Sequence, residues 1–278
     1  MRDGLQTWVD DDVAHILLNQ PERLNPLGPD QWAGIDSFVR DVETMPGIRA
    51  IVVGSQGRFF CAGNDLRVVG GLRSAQQARE YFLGVQLPTL VRLASSPLPI
   101  VCAVQADSAG GGLELALYCD VVIAATQAHF FLPEGQVGLF ATTVVAPAVQ
   151  TIGRQFLQRL AFTGERFSAT QALDAGLVHQ VRPREQLAEA VEEVVAQIRR
   201  SSPASVAATK AALNAGLLHE GLPLVEAALA HLSDSLLLSP DGQEGLNAYR
   251  EKREARWSVA PARDYERFVP HQPSQGES

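Results

Sequence analysis

Residues 99–124 read PIVCAVQADSAGGGLELALYCDVVIA. The run PIVCAVQ (99–105) is short and apolar, which predicts a buried strand. Three glycines, Gly110 to Gly112, punctuate it. LELALYC then predicts a helix, and DVVIAA (120–125) another buried strand. Strand, glycine turn, helix, strand is the order of a layered α/β protein. Within the helix stands one acid, Glu114, in a segment that otherwise looks buried.

A glycine run between a strand and a helix lets backbone come close to a ligand. The helix start also presents N–H groups without intrahelical partners and the positive end of the helix dipole. Such a place suits an anion, or a carbonyl oxygen that gains charge during reaction. The glycines alone are equally consistent with a tight turn packed on a neighbour. A dinucleotide fingerprint fits poorly, because Leu113, Glu114 and Leu115 follow Gly112 where G-x-G-x-x-G needs a further glycine. A second loop, FFCAGNDL (59–66), has the same strand-before, helix-after character. Two such loops can aim one N–H each at a single oxygen. A second acid, Glu134, lies 20 residues beyond Glu114, after the strand-like AHFFLP. Charged groups are seldom buried without a partner. Two acids beside two glycine loops suggest a general acid/base pair.

Outward from this centre, Thr7–Val9 and Val13–Asn19 predict a hairpin, and QPERLNPLGP a loop. Trp32, Ile35, Val39 and Val42 at helical spacing predict a helix over about 29–44, and IRAIVVGS (48–55) a buried strand. The stretch QGRFFCAGNDL reads as a loop and 75–94 as a helix. Ser168 and Gln171 form a capping-box pattern that Gly176 closes. Leu187 to Ile198 predict a further helix. Beyond Pro203 the pattern is nearly all helical, at 204–218, 223–238 and from Ser239–Pro240 onward. The expected organisation is an α/β core over 1–200 and a helical region over 201–278, with VPHQPSQGES as a disordered tail.

The 278 residues are 46% apolar, with 23 basic and 31 acidic side chains and a net charge of −8. That balance argues against a nucleic-acid binder, while leaving room for a local basic pocket. Cys61, Cys102 and Cys119 show no metal-ligand spacing and no even pairing, so no metal is expected and a reduced, cytoplasmic setting is. No apolar run reaches the ~18 residues of a membrane span, and MRDGLQTWVDDD lacks the apolar centre of a signal peptide.

Taken in order, the motifs resemble the crotonase superfamily, the enoyl-CoA hydratases and isomerases. NQPERLNPLG resembles its N-terminal CoA loop, GRFFCAGNDL its first oxyanion loop, and the opening stretch its central signature. FLPEGQVGL is similar to its second glutamate segment, and FTGERFSATQALDAGLV and EGLNAYREKREARW to later stretches. The resemblance implies a spiral of ββα units followed by a helical oligomerisation region, assembling as trimers or dimers of trimers. It implies an oxyanion hole from Asn64 and Gly111, and catalytic acids at Glu114 and Glu134. It places Arg23, Leu24, Ala62, Asp65 and Leu66 at the CoA and acyl site. Lys252 matches a basic position that reaches the CoA of a neighbouring subunit. The partner would be acyl-CoA, with no further cofactor.

Two departures stand out. Ala106 replaces a family glycine, with the acid Asp107 beside it. Thr142 stands where a glycine N–H often holds the attacking water, which reshapes the pocket beside Glu134. The leading expectation is a hydratase acting on an α,β-unsaturated acyl-CoA. An isomerase relying on Glu134 is the alternative, and a non-catalytic acyl-CoA-binding subunit a weaker one. A serine hydrolase is disfavoured, because GSQG (54–57) lacks G-x-S-x-G spacing. His129 and Asp120 read as structural.

Overall fold

A computed structural model of the chain describes residues 4–258. The strands are β1 (Leu5–Asp10), β2 (Val13–Leu18), β3 (Ala50–Ser55), β4 (Phe59–Cys61), β5 (Ile100–Val104), β6 (Asp107–Ala109), β7 (Val121–Ala125), β8 (His129–Phe131), β9 (Phe167–Ser168) and β10 (Gln180–Arg182). They form two sheets. The larger runs β1-β2-β3-β5-β7-β10, and the smaller β4-β6-β8-β9. The expected hairpin is present, with Asp10 opposite Val13 and the turn passing through Asp11 at positive φ. Every other pairing in the larger sheet is parallel.

The chain winds by repeating one step. β3 and β4, β5 and β6, β7 and β8 each give one strand to each sheet. Each pair then enters a helical segment: Leu66–Val69, Gly111–Leu117 and Glu134–Val137. Because β4, β6 and β8 are parallel neighbours, their carboxyl ends lie side by side. The three strand-to-helix junctions therefore meet at one end of the small sheet, the kind of place where α/β folds bind ligands.

Alternation along the large sheet explains its two faces. Val13, Ala50, Val101 and Ile123 pack beneath helix Leu187–Arg199. Their neighbours Ala14, Ile51, Cys102 and Val122 face the main core with Trp32, Phe60 and Phe130. A parallel sheet covered on both faces needs such uniformly apolar strands.

The structure corrects several expectations. QGRFFCAGNDL is not wholly a loop, since it contains β4, and the residues between PIVCAVQ and Gly110 contain a further strand, β6. Strands of three residues have too little periodicity to show. The 75–94 helix carries a five-residue π-turn, Phe82–Gln86, between Ala75–Tyr81 and Leu87–Ser95. The helices expected at 204–218 and 223–238 are one continuous run, with π-turns at Leu217–Gly221 and Leu232–Leu236. Pro223 lacks an N–H and would be expected to end a helix. It sits two residues after the end of the first π-turn instead, where the hydrogen-bond ladder has already shifted. Leu217, Val225, Leu229 and Leu232 of this run join the same core as Trp32. The tail VPHQPSQGES lies outside the described residues.

Candidate active site

The three junctions enclose a cavity of about 540 Å³. Asn64, on the β4 junction, is held in a one-residue parallel bridge with Leu27. The Leu27 N–H donates to Gly63 O at 2.8 Å, and the Asp65 N–H donates to Leu27 O at 2.9 Å. Successive N–H groups of an extended chain point to opposite sides, so the Asn64 N–H is turned away from Leu27. It faces the β6 junction. A methyl added to Gly111 would lie 3.1 Å from the Asn64 nitrogen, and one added to Gly63 would lie 3.1 Å from the Gly111 nitrogen. Gly63 has φ +95° and Gly110 φ +48°, backbone that side chains rarely tolerate. Among the described residues, neither the Asn64 N–H nor the Gly111 N–H has a protein acceptor.

Glu114 lies one helical turn after Gly110, and its N–H donates to Gly110 O at 2.9 Å. Its side chain is buried yet lines the cavity. Glu134 reaches in from the β8 junction, with Oε1 only 2.8 Å from where a Cβ on Gly110 would be. Glu134 Oε2 is enclosed with no hydrogen-bond partner among the described residues. Much of the rest of Glu134 is half-buried, so its tip is more enclosed than its stem.

Burial pushes the Glu114 carboxyl above the usual carboxylate range, and Thr143 and Gln86 offset part of the rise. The Thr143 hydroxyl itself makes no hydrogen bond of ordinary geometry, whereas the Gln86 bond is short and direct. Burial also raises Glu134, and the charge of Glu114 raises it further. Two such carboxyls cannot both ionise cheaply, so the pair shares a proton near neutral pH.

The N-terminal loop supplies another wall. Leu24 and Asn25 both adopt positive φ. Asn25 is held by Nδ2 donating to Gln56 O at 2.7 Å and Phe59 O at 3.0 Å. The Ala62 N–H donates to Leu24 O at 2.9 Å, tying the loop to the Asn64 strand. Arg23 Nη2 stands 2.5 Å from Asp65 Oδ2, and Arg67 joins the same carboxylate at 3.2 Å. Asp65 also caps Leu66–Val69. Arg23, Leu24, Ala62, Asp65 and Leu66 thus line the cavity, as does buried Thr142.

Lys252 does not line it. It ends helix Pro240–Glu251 at positive φ and is exposed. That helix packs backbone to backbone on the Glu134 turn through Gly138, Gly242 and Gly245, which brings Tyr249 to the cavity wall. Tyr249, Leu232, Phe82, Phe140 and Arg67 line the site without having been singled out in the sequence. Only long-range packing puts them there, although Arg67, two residues after Asp65, was within reach of a local reading.

The two acids outside the cavity, Asp107 and Asp120, have structural roles. Asp107 accepts from the His129 N–H at 3.1 Å, pairs with His129 Nδ1 at 3.0 Å, and contacts Arg166. It staples β6 to β8 and stays out of the cavity. Asp120 accepts from Ile100 N and from Lys210 Nζ, each at 2.7 Å. Among the described residues no cluster of three His, Cys, Asp or Glu side chains could hold a metal. None of their single helices is long and apolar enough to cross a membrane.

Two sheets wound from ββα turns, with helices packed across one end, make this a protein of the crotonase fold. Residues 9–260 match the family model described as enoyl-CoA hydratase/isomerase, and the chain belongs to that family. Among its relatives, the mevalonyl-coenzyme A hydratase of Aspergillus fumigatus is 34% identical over 253 residues, covering 88% of this chain and 92% of that protein. The (E)-benzylidenesuccinyl-CoA hydratase of Thauera aromatica is 33% identical over 249 residues, covering 88% and 95%. The crystal structure of an enoyl-CoA hydratase from Mycobacterium avium subsp. paratuberculosis superposes with a TM-score of 0.81 at 29% identity, covering 92% of this chain and 98% of that one. Membership makes this an enzyme of the crotonase type and implies an acyl-CoA substrate.

Proposed function

We propose that the protein is a hydratase that adds water across the double bond of an α,β-unsaturated acyl-CoA. One observation carries the reading. Two unpartnered amides, Asn64 and Gly111, converge beside two buried carboxyls that cannot ionise together. The thioester oxygen accepts from both N–H groups, and charge gathers there as the β-carbon is attacked. Glu114 accepts a hydrogen bond from Gln86 while Glu134 Oε2 has none, so the shared proton rests on Glu134. Glu114 takes a proton from water as its oxygen bonds to the β-carbon, and Glu134 delivers its proton to the α-carbon. The pair ends with its proton on Glu114 and resets by proton exchange.

Coenzyme A is part of the substrate, and the chain's own residues supply the rest of the chemistry. Thr142 favours a second reading. With a side chain at the water-holding position, the cavity also suits an isomerase that moves a proton with Glu134 alone. Incubation with crotonyl-CoA and a series of longer enoyl-CoAs separates the two. Loss of conjugated-thioester absorbance with a mass gain of one water is expected. A product of unchanged mass selects the isomerase. No reaction across the series refutes both.

A further inference from the structure

Gln86 does not line the 540 Å³ cavity, and it is almost fully buried, at 1% exposure. It is the last residue of the π-turn Phe82–Gln86, the type of helix irregularity that often marks functional positions. Its Nε2 donates to Glu114 Oε2 at 2.8 Å, and its Oε1 faces Asn64 Nδ2 at 3.4 Å. Asn64 Oδ1 in turn accepts from Trp32 Nε1 at 3.0 Å and from the Tyr81 hydroxyl at 2.9 Å. One chain of side-chain contacts therefore joins the Asn64 loop to the Glu114 carboxyl.

The direction of every bond in this chain is dictated from one end. An indole N–H can only donate, so the carbonyl side of Asn64 must face Trp32. The amide NH2 of Asn64 then faces Gln86, which must answer with its own oxygen. That leaves the Gln86 NH2 pointing at Glu114, and Oε2 there must accept. A proton on Glu114 can then sit only on Oε1.

We propose that Gln86 is a positioning residue for the reaction. It holds Glu114 Oε2 as a permanent acceptor, keeps the carboxyl in its ionised form, and leaves Oε1 as the oxygen that exchanges protons with substrate water. The π-turn is the device that brings the amide to this point. This inference rests on the hydratase reading of the same site.

The titratable groups around Glu114 are Glu134 on the facing junction, Cys61 on β4, Tyr81, and Tyr118 just after the helix. Burial raises Cys61, Tyr81 and Tyr118 away from ionisation. Near neutral pH the acidic limb of turnover therefore reports the carboxyl pair. Gln86→Met keeps the length and removes the donor. Turnover should fall on the order of 10- to 100-fold, the scale of one hydrogen bond to a charged group, with KM little changed. The acidic limb of kcat should move to higher pH, because a donor to the ionised form has been lost. Trp32→Phe removes one of the two donors that hold Asn64 Oδ1 and should shift the limb the same way, by less.

If wild type hydrates enoyl-CoA and both variants keep its turnover and its acidic limb, the inference is overturned while the hydratase reading stands. A loss of turnover equal at all pH, with an unmoved limb, also overturns it, because misfolding or misplacement alone would do that. If Gln86→Met does not fold, the Trp32→Phe profile decides by the same criterion. A wild type that hydrates nothing removes the reading itself.

Discussion

Glu134→Gln should make the folded protein more stable at pH 8 while slowing it. Glu134 Oε2 is enclosed without a partner among the described residues, and burial plus the charge of Glu114 raises its carboxyl. An unfolded glutamate titrates at about 4.3. Between that value and the raised folded one, the folded chain holds a proton that the unfolded chain has lost. Stability from this group is thus complete below about pH 4.3 and is lost as pH rises through the folded value. Glutamine is nearly the same shape and does not titrate. Each tenfold change in a carboxyl's proton affinity is worth about 1.4 kcal/mol. The gain at pH 8 should therefore be on the order of a few kcal/mol, fading to nothing near pH 4. Removing a like charge also eases ionisation of Glu114, which acts in the same direction. The assay is urea denaturation of wild type and variant from pH 4 to 9, where groups common to both cancel in the difference. Turnover in the same samples should drop by about 10²–10⁴-fold. A variant less stable than wild type at pH 8, or a difference that ignores pH, would refute the claim that Glu134 is held neutral with Oε2 unpaired.

Four further outcomes are expected. Gly112→Ala sets a methyl 2.6 Å from Cys61 Cβ and 2.8 Å from Cys61 O, and should cost about 1–3 kcal/mol of stability by overpacking; Gly111→Ala should fold but lose on the order of 10²-fold in turnover, since its methyl fills the space between the amides. Lys210→Met strands Asp120, whose carboxyl burial already raises and Lys210 holds down, so thermal unfolding should report a loss of about 3–5 kcal/mol that Asp120→Asn partly restores. Leu213 and Leu224 stand 76% and 60% exposed on the long C-terminal run, so changing both to Glu should break the assembly that light scattering is expected to find in wild type; a wild type that is monomeric at micromolar concentration ends that expectation.

Local pattern was enough to find the centre of this protein. β5, the helix carrying Glu114, the hairpin at Asp11 and the helix that begins at Leu187 are all written in periodicity and turn residues, which act over a few positions. The order of motifs named the family. β4 and β6 escaped because three residues cannot display a period, and they become strands by pairing across wide gaps in the chain, Phe59 with Asp107 and Ser108 with Phe130. The π-turns escaped because they shift a hydrogen-bond ladder without altering the apolar stripe.

The sequence alone singled out the candidate site, two glycine junctions and two acids, because a glycine run before a helix and an acid in an apolar segment each demand a special neighbourhood. Tertiary structure decided what distinguishes the two acids. Glu114 meets a side-chain donor from a π-turn 28 residues earlier, whereas Glu134 Oε2 meets none among the described residues. A carboxyl's protonation depends on the dipoles and charges within a few ångströms of it. Those arrive from distant parts of the chain, so no local reading of either glutamate could have told them apart.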